Sequence, residues 1–237
     1  IPDYAVTGVQ TCALPIFHYN NMIIGERAAG MGGAFTALSD DTSGMYYNPA
    51  GIVHAQTKSL SASVNAYYSL SKKYSGVIAG ADLKRNYSAI VPNFFGVQQP
   101  VGAVSLGFSY SVPEHAFEDM EETFIDLPTS QEMQQRYGDP NLRISRYVLN
   151  LNTEDSINEF GPSVAIKISE TLSLGLTLYV HKRSSLFIQN ELLRLSNGRD
   201  QWNNFYFKMH EWGTRPILGF LWKPSEQIGR ASCRVRV

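Results

Sequence analysis

The histidines, the cysteines and one acidic cluster are the side chains of this chain that could most readily bind a metal or act in catalysis. The five histidines are scattered and lack the short spacings of zinc ligands; they are His18, His54, His115, His181 and His210. The acidic cluster precedes Phe124 and could bind calcium or form a solvated loop; it consists of Glu118, Asp119, Glu121 and Glu122. No catalytic set emerges, so we expect neither an enzyme nor a bound metal or cofactor.

The remaining motifs do not indicate a site that binds phosphate or nucleic acid. The segment G-M-G-G-A-F at Gly30 to Phe35 has no Lys-Ser or Lys-Thr after it and no βαβ pattern around it, so it does not predict a phosphate loop. The net charge is −1 and no basic patch is visible, which gives no indication of nucleic-acid binding. Lys182 and Arg183, at a predicted strand end, could contact lipopolysaccharide phosphates or simply be solvated.

Both ends of the chain resemble translated sequencing adapters. A string near the start reads V-T-G-V-Q-T-C-A-L-P-I, and the chain ends in Q-I-G-R-A-S-C-R-V-R-V. We therefore expect residues 1–16 and 226–237 to be non-native, and we exclude them from fold reasoning. Cys12 and Cys233 fall in these ends, which removes a disulfide or thiol chemistry from consideration. A signal peptide would then be missing because the fragment begins after it.

The composition is unusual for a soluble enzyme. Only 17% of residues are charged while 12% are aromatic and 43% hydrophobic, against roughly a quarter charged in an average soluble domain. No stretch approaches the ~18–20 apolar residues of a membrane helix. A chain of this kind could cross a bilayer only with strands closed into a barrel.

Alternation of apolar and small polar residues runs through Leu60 to Leu70, Val104 to Val112 and Leu172 to Val180. In the third segment one face carries Leu172, Leu174, Leu176, Leu178 and Val180, and the other carries Ser173, Gly175, Thr177 and Tyr179. Apolar residues facing lipid and small polar residues facing a lumen are typical of a transmembrane barrel. A soluble β-sandwich or lipocalin-like barrel is the alternative, but it would need more charged residues on its exterior.

Further strands, a loop and an aromatic girdle complete the predicted sheet. The strands are Arg85–Gln98, Arg143–Asn152, Ser156–Ser169, Lys182–Leu195, Asn204–Trp212 and Thr214–Lys223. We expect an extracellular loop over Pro113–Pro140 with a short helix near Ser130–Tyr137, and a tight turn at 169–171. The girdle would place aromatic residues at the membrane interfaces; its candidates are Tyr67, Tyr68, Tyr74, Tyr87, Tyr110, Tyr147, Tyr179, Trp202, Tyr206, Trp212 and Trp222.

Residues 17–56 predict a compact, irregular segment rather than strand. The segment is rich in glycine and alanine, which permit tight turns and close backbone approach. Ala28 to Leu38 could form one or two helical turns, and Ser39, Asp40 or Asp41 could cap another. A turn is expected at Asn48, which must be extended because Pro49 follows it.

This segment resembles the N-terminal region of the FadL-like outer-membrane transporters of long-chain fatty acids. It carries G-x-x-A-A-G-M-G-G-A-F at Gly25 to Phe35, the pair Asp40-Asp41, and N-P-A-G at Asn48 to Gly51. Beyond it, V-P-N-F-F-G-V at Val91 to Val97 is similar to the stretch after an early strand of that family. The resemblance is sharpest over about thirty residues, between Gly25 and Gly51.

The resemblance implies a hatch inside a barrel. Hydrophobic ligands bind from the extracellular side, and a conformational change near the hatch opens a route onward. The hatch residues carried over are Gly30, Gly32, Gly33, Asp40, Asp41, Asn48, Pro49, Ala50 and Gly51. The glycines, with Ala34, would let the hatch approach the wall, while the two aspartates, Ser43 and Asn48 would hydrogen-bond its irregular backbone. Alternatively, these residues only fix turns in a static plug.

We therefore expect an all-β protein: an antiparallel transmembrane β-barrel at residues 57–225, preceded by a small helical and irregular hatch at residues 17–56. The barrel would be incomplete and open near Trp222, because the family's barrel has more strands. The expected function is passive transport of long-chain fatty acids or aromatic hydrocarbons in the bacterial outer membrane. Its partners would be these hydrophobic small molecules, outer-membrane lipid and lipopolysaccharide. Alternatives are a related barrel that serves secretion machinery or a structural role, and a soluble ligand-binding barrel.

Overall fold

The computed structural model describes residues 22–55, 57–223 and 231–236. The predicted non-native residues 1–16 with Cys12, and also His18 and Gln56, lie outside the described residues, as do the side chains of Tyr67, Tyr68 and Tyr87. The strands are β1 (Ser59–Ile78), β2 (Ala81–Val101), β3 (Val104–Pro128), β4 (Arg143–Lys167), β5 (Leu172–Leu195), β6 (Asp200–Trp222) and β7 (Ala231–Arg236). The helices are α1 (Glu26–Gly30), α2 (Gly44–Tyr47), a 3-10 helix (Pro49–His54) and α3 (Gln131–Tyr137).

The strands form one antiparallel sheet in which each strand pairs with the next along the chain. This arrangement confirms the predicted all-β, antiparallel class. The sheet does not close, and β1 and β7 are its edges within the described residues. β7 falls in the segment predicted to be non-native and pairs only with Ile217 to Trp222 of β6. Among the described helices, none is long and apolar enough to cross a membrane.

Short turns join the strands at the end of the sheet where β3 begins. Between β2 and β3, Gly102 has a φ of +62°, a conformation that glycine adopts readily. Residues 169–171 connect β4 to β5, as predicted. The Lys167 ammonium lies 2.7 Å from the Glu170 carboxylate across this turn. Few residues therefore lie outside the strands at this end of the sheet.

The strands are longer than the sequence predicts. The loop predicted over Pro113–Pro140 was wrong over its first half, because β3 continues to Pro128. Its acidic residues fit a strand because β4 pairs along its whole length and because Arg85 forms an ion pair with Glu118. The predicted helix is confirmed at Gln131–Tyr137, where the Ser130 hydroxyl accepts a hydrogen bond from the Met133 amide.

Six of the predicted strands fuse in pairs. The predicted breaks near residues 153–155, 181 and 213 do not interrupt β4, β5 or β6. Gly213 weakens strand propensity but does not end β6, because its position opposite His181 keeps the register of β5 and β6 continuous. Each of these strands has 23 to 25 residues, about twice the ~9–11 residues that cross a bilayer.

The two faces of the sheet differ sharply in the half nearest residues 22–55. On β5, Ser173, Thr177 and Tyr179 face these residues and are buried. The alternate leucines, Leu174, Leu176 and Leu178, are between 38 and 46% exposed. The face that packs on residues 22–55 is termed the inner face. The outer apolar belt comprises these leucines and Leu60, Val64, Phe95, Val97, Leu106, Phe108, Val164, Ile166, Leu218, Phe220 and Trp222.

Charge separates the two halves of the outer face. At the level of the outer apolar belt, alternation and pairing place only uncharged residues on the outer face of β1 to β6; besides the belt these include Gln99, Pro162 and Pro216. Farther along the same strands, the alternation and pairing place charged residues on the outer face, among them Asp119, Glu121, Glu154, Lys182 and Lys208. The outer face is therefore apolar in the half of the sheet that carries the belt and polar in the other half.

Two predicted orientations were wrong. Tyr179, a candidate for the aromatic girdle, is fully buried on the inner face, where its hydroxyl lies 2.7 Å from the Ser109 hydroxyl oxygen. Val112 was assigned to the outer row of β3 but is 4% exposed and clusters with Met22 and Val91. A register shift after Ser111 explains the second difference, since a bulge turns the following side chain to the other face.

Candidate hatch site

Residues 22–55, termed the hatch segment, pack on the inner face through α2 and the 3-10 helix. Phe35, Tyr46 and Tyr47 form its core, together with Tyr179 and Ile217 of the sheet. The Phe35 and Tyr47 rings meet edge to face with their centres 5.7 Å apart. The segment therefore shares one hydrophobic core with the sheet that it covers.

Asn48 is the polar link between the hatch segment and β6. Its side-chain amide nitrogen donates to the carbonyl oxygens of Thr36 at 3.1 Å and Phe220 at 3.0 Å. Its side-chain oxygen accepts from the Ala50 amide at 3.1 Å, which caps the 3-10 helix begun by Pro49. Asn48 is fully buried, and its bond to the Ala50 amide is buried as well. The predicted role in satisfying irregular backbone is confirmed for this residue.

Two hydroxyl groups of β5 bind the hatch backbone. Ser173 Oγ donates to the Ala50 carbonyl at 2.8 Å, and Thr177 Oγ1 donates to the Met45 carbonyl at 2.9 Å. Both hydroxyls belong to the small polar row that the sequence placed opposite the leucines. Such bonds satisfy carbonyl groups that the short helices leave without partners.

Glycines in the wall let the hatch backbone approach. A Cβ at Gly175 would collide with the backbone of Pro49 and Ala50, and a Cβ at Gly219 would collide with the Asn48 side chain. Within the hatch segment, a Cβ at Gly51 would collide with Ser39. The close approach predicted from composition is therefore real, but the wall glycines that permit it lie in β2, β3, β5 and β6.

The three glycines of G-M-G-G do not make that approach. A Cβ added at Gly30, Gly32 or Gly33 would meet nothing within 4 Å, so their predicted contact with the wall was wrong. Gly32 and Gly33 instead have φ values of +61° and +85°, which suit the turns after α1. Beside this region a cavity of about 380 Å³ separates the hatch segment from β1, and Arg27 and Ser63 line it.

Both paired aspartates contact Arg27, and Asp41 also binds the backbone of the hatch segment. Asp40 lies 2.7 Å from the Arg27 guanidinium. One Asp41 oxygen accepts from the Ser43 amide at 2.8 Å and from the Ser43 hydroxyl at 2.6 Å, just before α2 begins. Asp41 thus supports irregular backbone as predicted, whereas Asp40 forms an exposed ion pair, which contributes about 0–1 kcal/mol.

The opposite end of the hatch segment is tied to β2. Asn93 donates from its side-chain nitrogen to the Ile23 carbonyl at 2.7 Å. Its side-chain oxygen accepts from the Ser63 hydroxyl of β1 at 2.6 Å. Strands β1, β2, β5 and β6 therefore all contribute to holding the hatch segment.

A buried ion pair lies at the edge of the hatch segment. The Glu159 side chain is fully buried, with one oxygen 2.7 Å from Arg215 Nη1 and 3.0 Å from His181 Nδ1. The Arg215 guanidinium also lies over the ring of Tyr46 in α2, 5.2 Å from its centre. Other atoms of the pair, including Glu159 Oε2 and Arg215 Nη2, have no hydrogen-bond partner among the described residues. The pair therefore joins β4 and β6 to the hatch segment at high electrostatic cost.

Beyond this ion pair, the inner face carries an apolar patch among charged side chains such as Glu122 and Glu191. Phe187 and Phe205 meet edge to face at 5.6 Å, and Met120, Leu149 and Leu151 form a cluster against which Phe187 packs. Arg183 and Asp155 lie between this apolar surface and the hatch segment, with 2.7 Å between their closest atoms. The inner face therefore offers one apolar patch beyond the hatch segment, around Phe187.

The sequence did not reveal the part of the site that the sheet contributes. Ser173, Thr177, Glu159 and Arg215 were not predicted as site residues. The period-two pattern places all four on the inner face, so the signal was present, but only the structure shows which level the hatch segment occupies. The described residues hold no cluster of three or more acidic, histidine or cysteine side chains suited to a metal ion. Comparisons with models of protein families, with curated proteins and with solved structures find no match for the chain.

Proposed function

We propose that the chain is part of a bacterial outer-membrane β-barrel that conducts hydrophobic molecules, with the hatch segment plugging its lumen. One observation carries the proposal: the hatch segment packs on the small polar face of a sheet whose opposite face, at the same level, is apolar, uncharged and exposed. A soluble barrel would bury its apolar rows inside and expose charge. A transmembrane barrel reverses that arrangement.

The height of the outer apolar belt supports a membrane location. Trp222 ends the belt on β6, and Trp212 lies on the same face beyond the belt's other end; they are 46 and 64% exposed. Trp222 is ten positions after Trp212, which is ~33 Å along a strand. A strand tilt of ~40° reduces this to about 25 Å across the membrane, the usual height of the apolar band of such barrels.

The apolar patch around Phe187 on the inner face favours hydrophobic cargo, and we propose long-chain fatty acids or aromatic hydrocarbons. Burial of an acyl chain there would contribute ~0.8 kcal/mol per methylene. No nucleotide-binding motif is apparent in the sequence, so the proposed flux runs down a concentration gradient. Release past the hatch would require the hatch segment to loosen its bonds to β5 and β6.

Uptake of labelled oleate by cells that make the full-length protein, of which the proposed barrel segment is a part, tests the proposal. We expect uptake above that of cells without the protein, and a loss of at least fivefold with Phe187→Glu, which places a charge on the apolar patch of the inner face. Ile188→Glu is the matched control, because the neighbouring side chain points to the outer face. Uptake equal to that of cells without the protein would instead favour a secretion or structural role.

A further inference from the structure

Cationic side chains cross the outer face directly beyond the outer apolar belt. Lys182 of β5 pairs in register with Trp212 of β6, and the Lys182 ammonium lies 5.2 Å from the centre of the indole ring. The next outer pair is Ser184 with His210, whose Oγ and Nδ1 are 3.1 Å apart. The pair after that brings Lys208 to the same surface. Lys182, Lys208 and His210 are termed the outer basic patch.

The carboxylates at this level mostly face the other way. Asp155, Glu159 and Glu211 share the inner face with Arg183, His181 and Ser185, as the register of β4, β5 and β6 requires. Arg183 therefore cannot join Lys182 on the outer face, contrary to the sequence-based expectation for that pair. On the outer face, β4 carries a carboxylate at Glu154, which pairs in register with Leu186 of β5.

We infer that the outer basic patch binds the phosphorylated head group of lipid A, the membrane anchor of lipopolysaccharide. The inference rests on the proposed outer-membrane location, which places this level at the lipid head groups. Tryptophan is favoured at that interface, and the ammonium groups of lysine bind phosphate as point charges. Acyl chains would then lie along the outer apolar belt, directly below the patch.

The spacing of the two lysines favours lipid A over an ordinary phospholipid. Lys208 lies four residues along β6 from Trp212, which is the partner of Lys182 on the neighbouring strand. The backbones of the two lysines are therefore ~14 Å apart. Lipid A carries phosphates at both ends of a rigid glucosamine disaccharide, so one molecule can engage both lysines. A phospholipid has one phosphate in its head group and would engage one lysine.

Lipid titration of the full chain in dodecyl maltoside micelles, followed by native mass spectrometry, tests the inference. We expect bisphosphorylated lipid A to bind at least tenfold more tightly than dephosphorylated lipid A or phosphatidylglycerol. The variant K182Q/K208Q should lose at least fivefold in affinity for bisphosphorylated lipid A. The control K72Q/K84Q removes two exposed charges from β1 and β2 and should leave the affinity unchanged.

Equal affinity of the wild type and K182Q/K208Q, or equal binding of phosphatidylglycerol and lipid A, would overturn the inference. Oleate uptake by the same variants separates it from the proposed function, since K182Q/K208Q should transport normally. Binding through the two lysines without any oleate uptake would support the lipid site and contradict transport. Uptake without preference for phosphorylated lipid A would contradict the lipid site alone.

Discussion

The side-chain amide of Asn48 donates a hydrogen bond to the carbonyl oxygen of Phe220 across 172 residues of sequence, with 3.0 Å between the two atoms. This bond connects the start of the 3-10 helix to the wall strand β6. Because the same side chain also binds Thr36 and Ala50, Asn48 determines both the shape of the hatch segment and its position on the sheet.

Replacing Asn48 should loosen the hatch segment. Asn48→Ala removes the donor to the Thr36 and Phe220 carbonyls and the acceptor of the Ala50 amide, and a buried bond left unmade costs ~1–3 kcal/mol. We expect the free energy of unfolding to fall by about 2–4 kcal/mol and amide hydrogen exchange to rise at residues 44–54. The exposed outer-face residue Asn204 provides the control Asn204→Ala. Equal exchange rates in the two variants would show that Asn48 does not hold the hatch segment.

The glycine at the contact between β6 and the hatch segment should tolerate no side chain. Gly219→Ala places a methyl group against Asn48 and Ala50, and overpacking of this kind costs about 1–3 kcal/mol. Gly213→Ala is the matched control on the same strand, because a Cβ there meets nothing within 4 Å. The midpoint of urea unfolding should fall only for the first variant. Similar midpoints would mean that the wall and hatch segment are not in tight contact.

The sequence predicted the sheet class and the inner and outer rows because strand periodicity is a local property. The family resemblance also pointed to Asn48, which is extended as the following proline requires; its capping of the 3-10 helix was not predicted. It assigned wall contact to Gly30, Gly32 and Gly33 instead of Gly175 and Gly219, because a glycine's neighbours depend on which strands meet it. The strand lengths were missed for the same reason: pairing with β4 stabilises the acidic half of β3.

The buried pair of Glu159 and Arg215 should show strong coupling. Arg215→Met leaves the fully buried Glu159 without its closest cation, and breaking such a pair from one side costs about 3–5 kcal/mol. Adding Glu159→Gln to that variant removes the uncompensated charge and should restore part of the loss. Unfolding free energies of the two single variants and the double variant provide the cycle. Additive effects would contradict a direct interaction.

Acid should weaken the inner face near Asp155. Burial favours the neutral form of this carboxyl, but hydrogen bonds from Arg183 and Ser185, with the charge of Arg183, outweigh it and lower the pKa below its ordinary value. A lowered folded-state pKa gives stability that is present above the unfolded value of ~3.9 and is lost as pH falls through the folded value. Asp155→Asn should therefore reduce stability at pH 7 more than at pH 3. A loss that is the same at both pH values would exclude this contribution.

The outer apolar belt should reject charge at its centre but not beyond its edge. Leu176 lies in the middle of the belt on β5, and Leu192 lies on the same face of the same strand, past the outer basic patch. If the belt contacts hydrocarbon, Leu176→Arg should destabilise folding into phosphatidylcholine vesicles by about 2–4 kcal/mol, and Leu192→Arg by about 0–1 kcal/mol. Unfolding in urea from vesicles measures both values against the unaltered chain. Equal losses of unfolding free energy in the two variants would mean that the belt contacts water rather than lipid. That result would contradict the proposed membrane location.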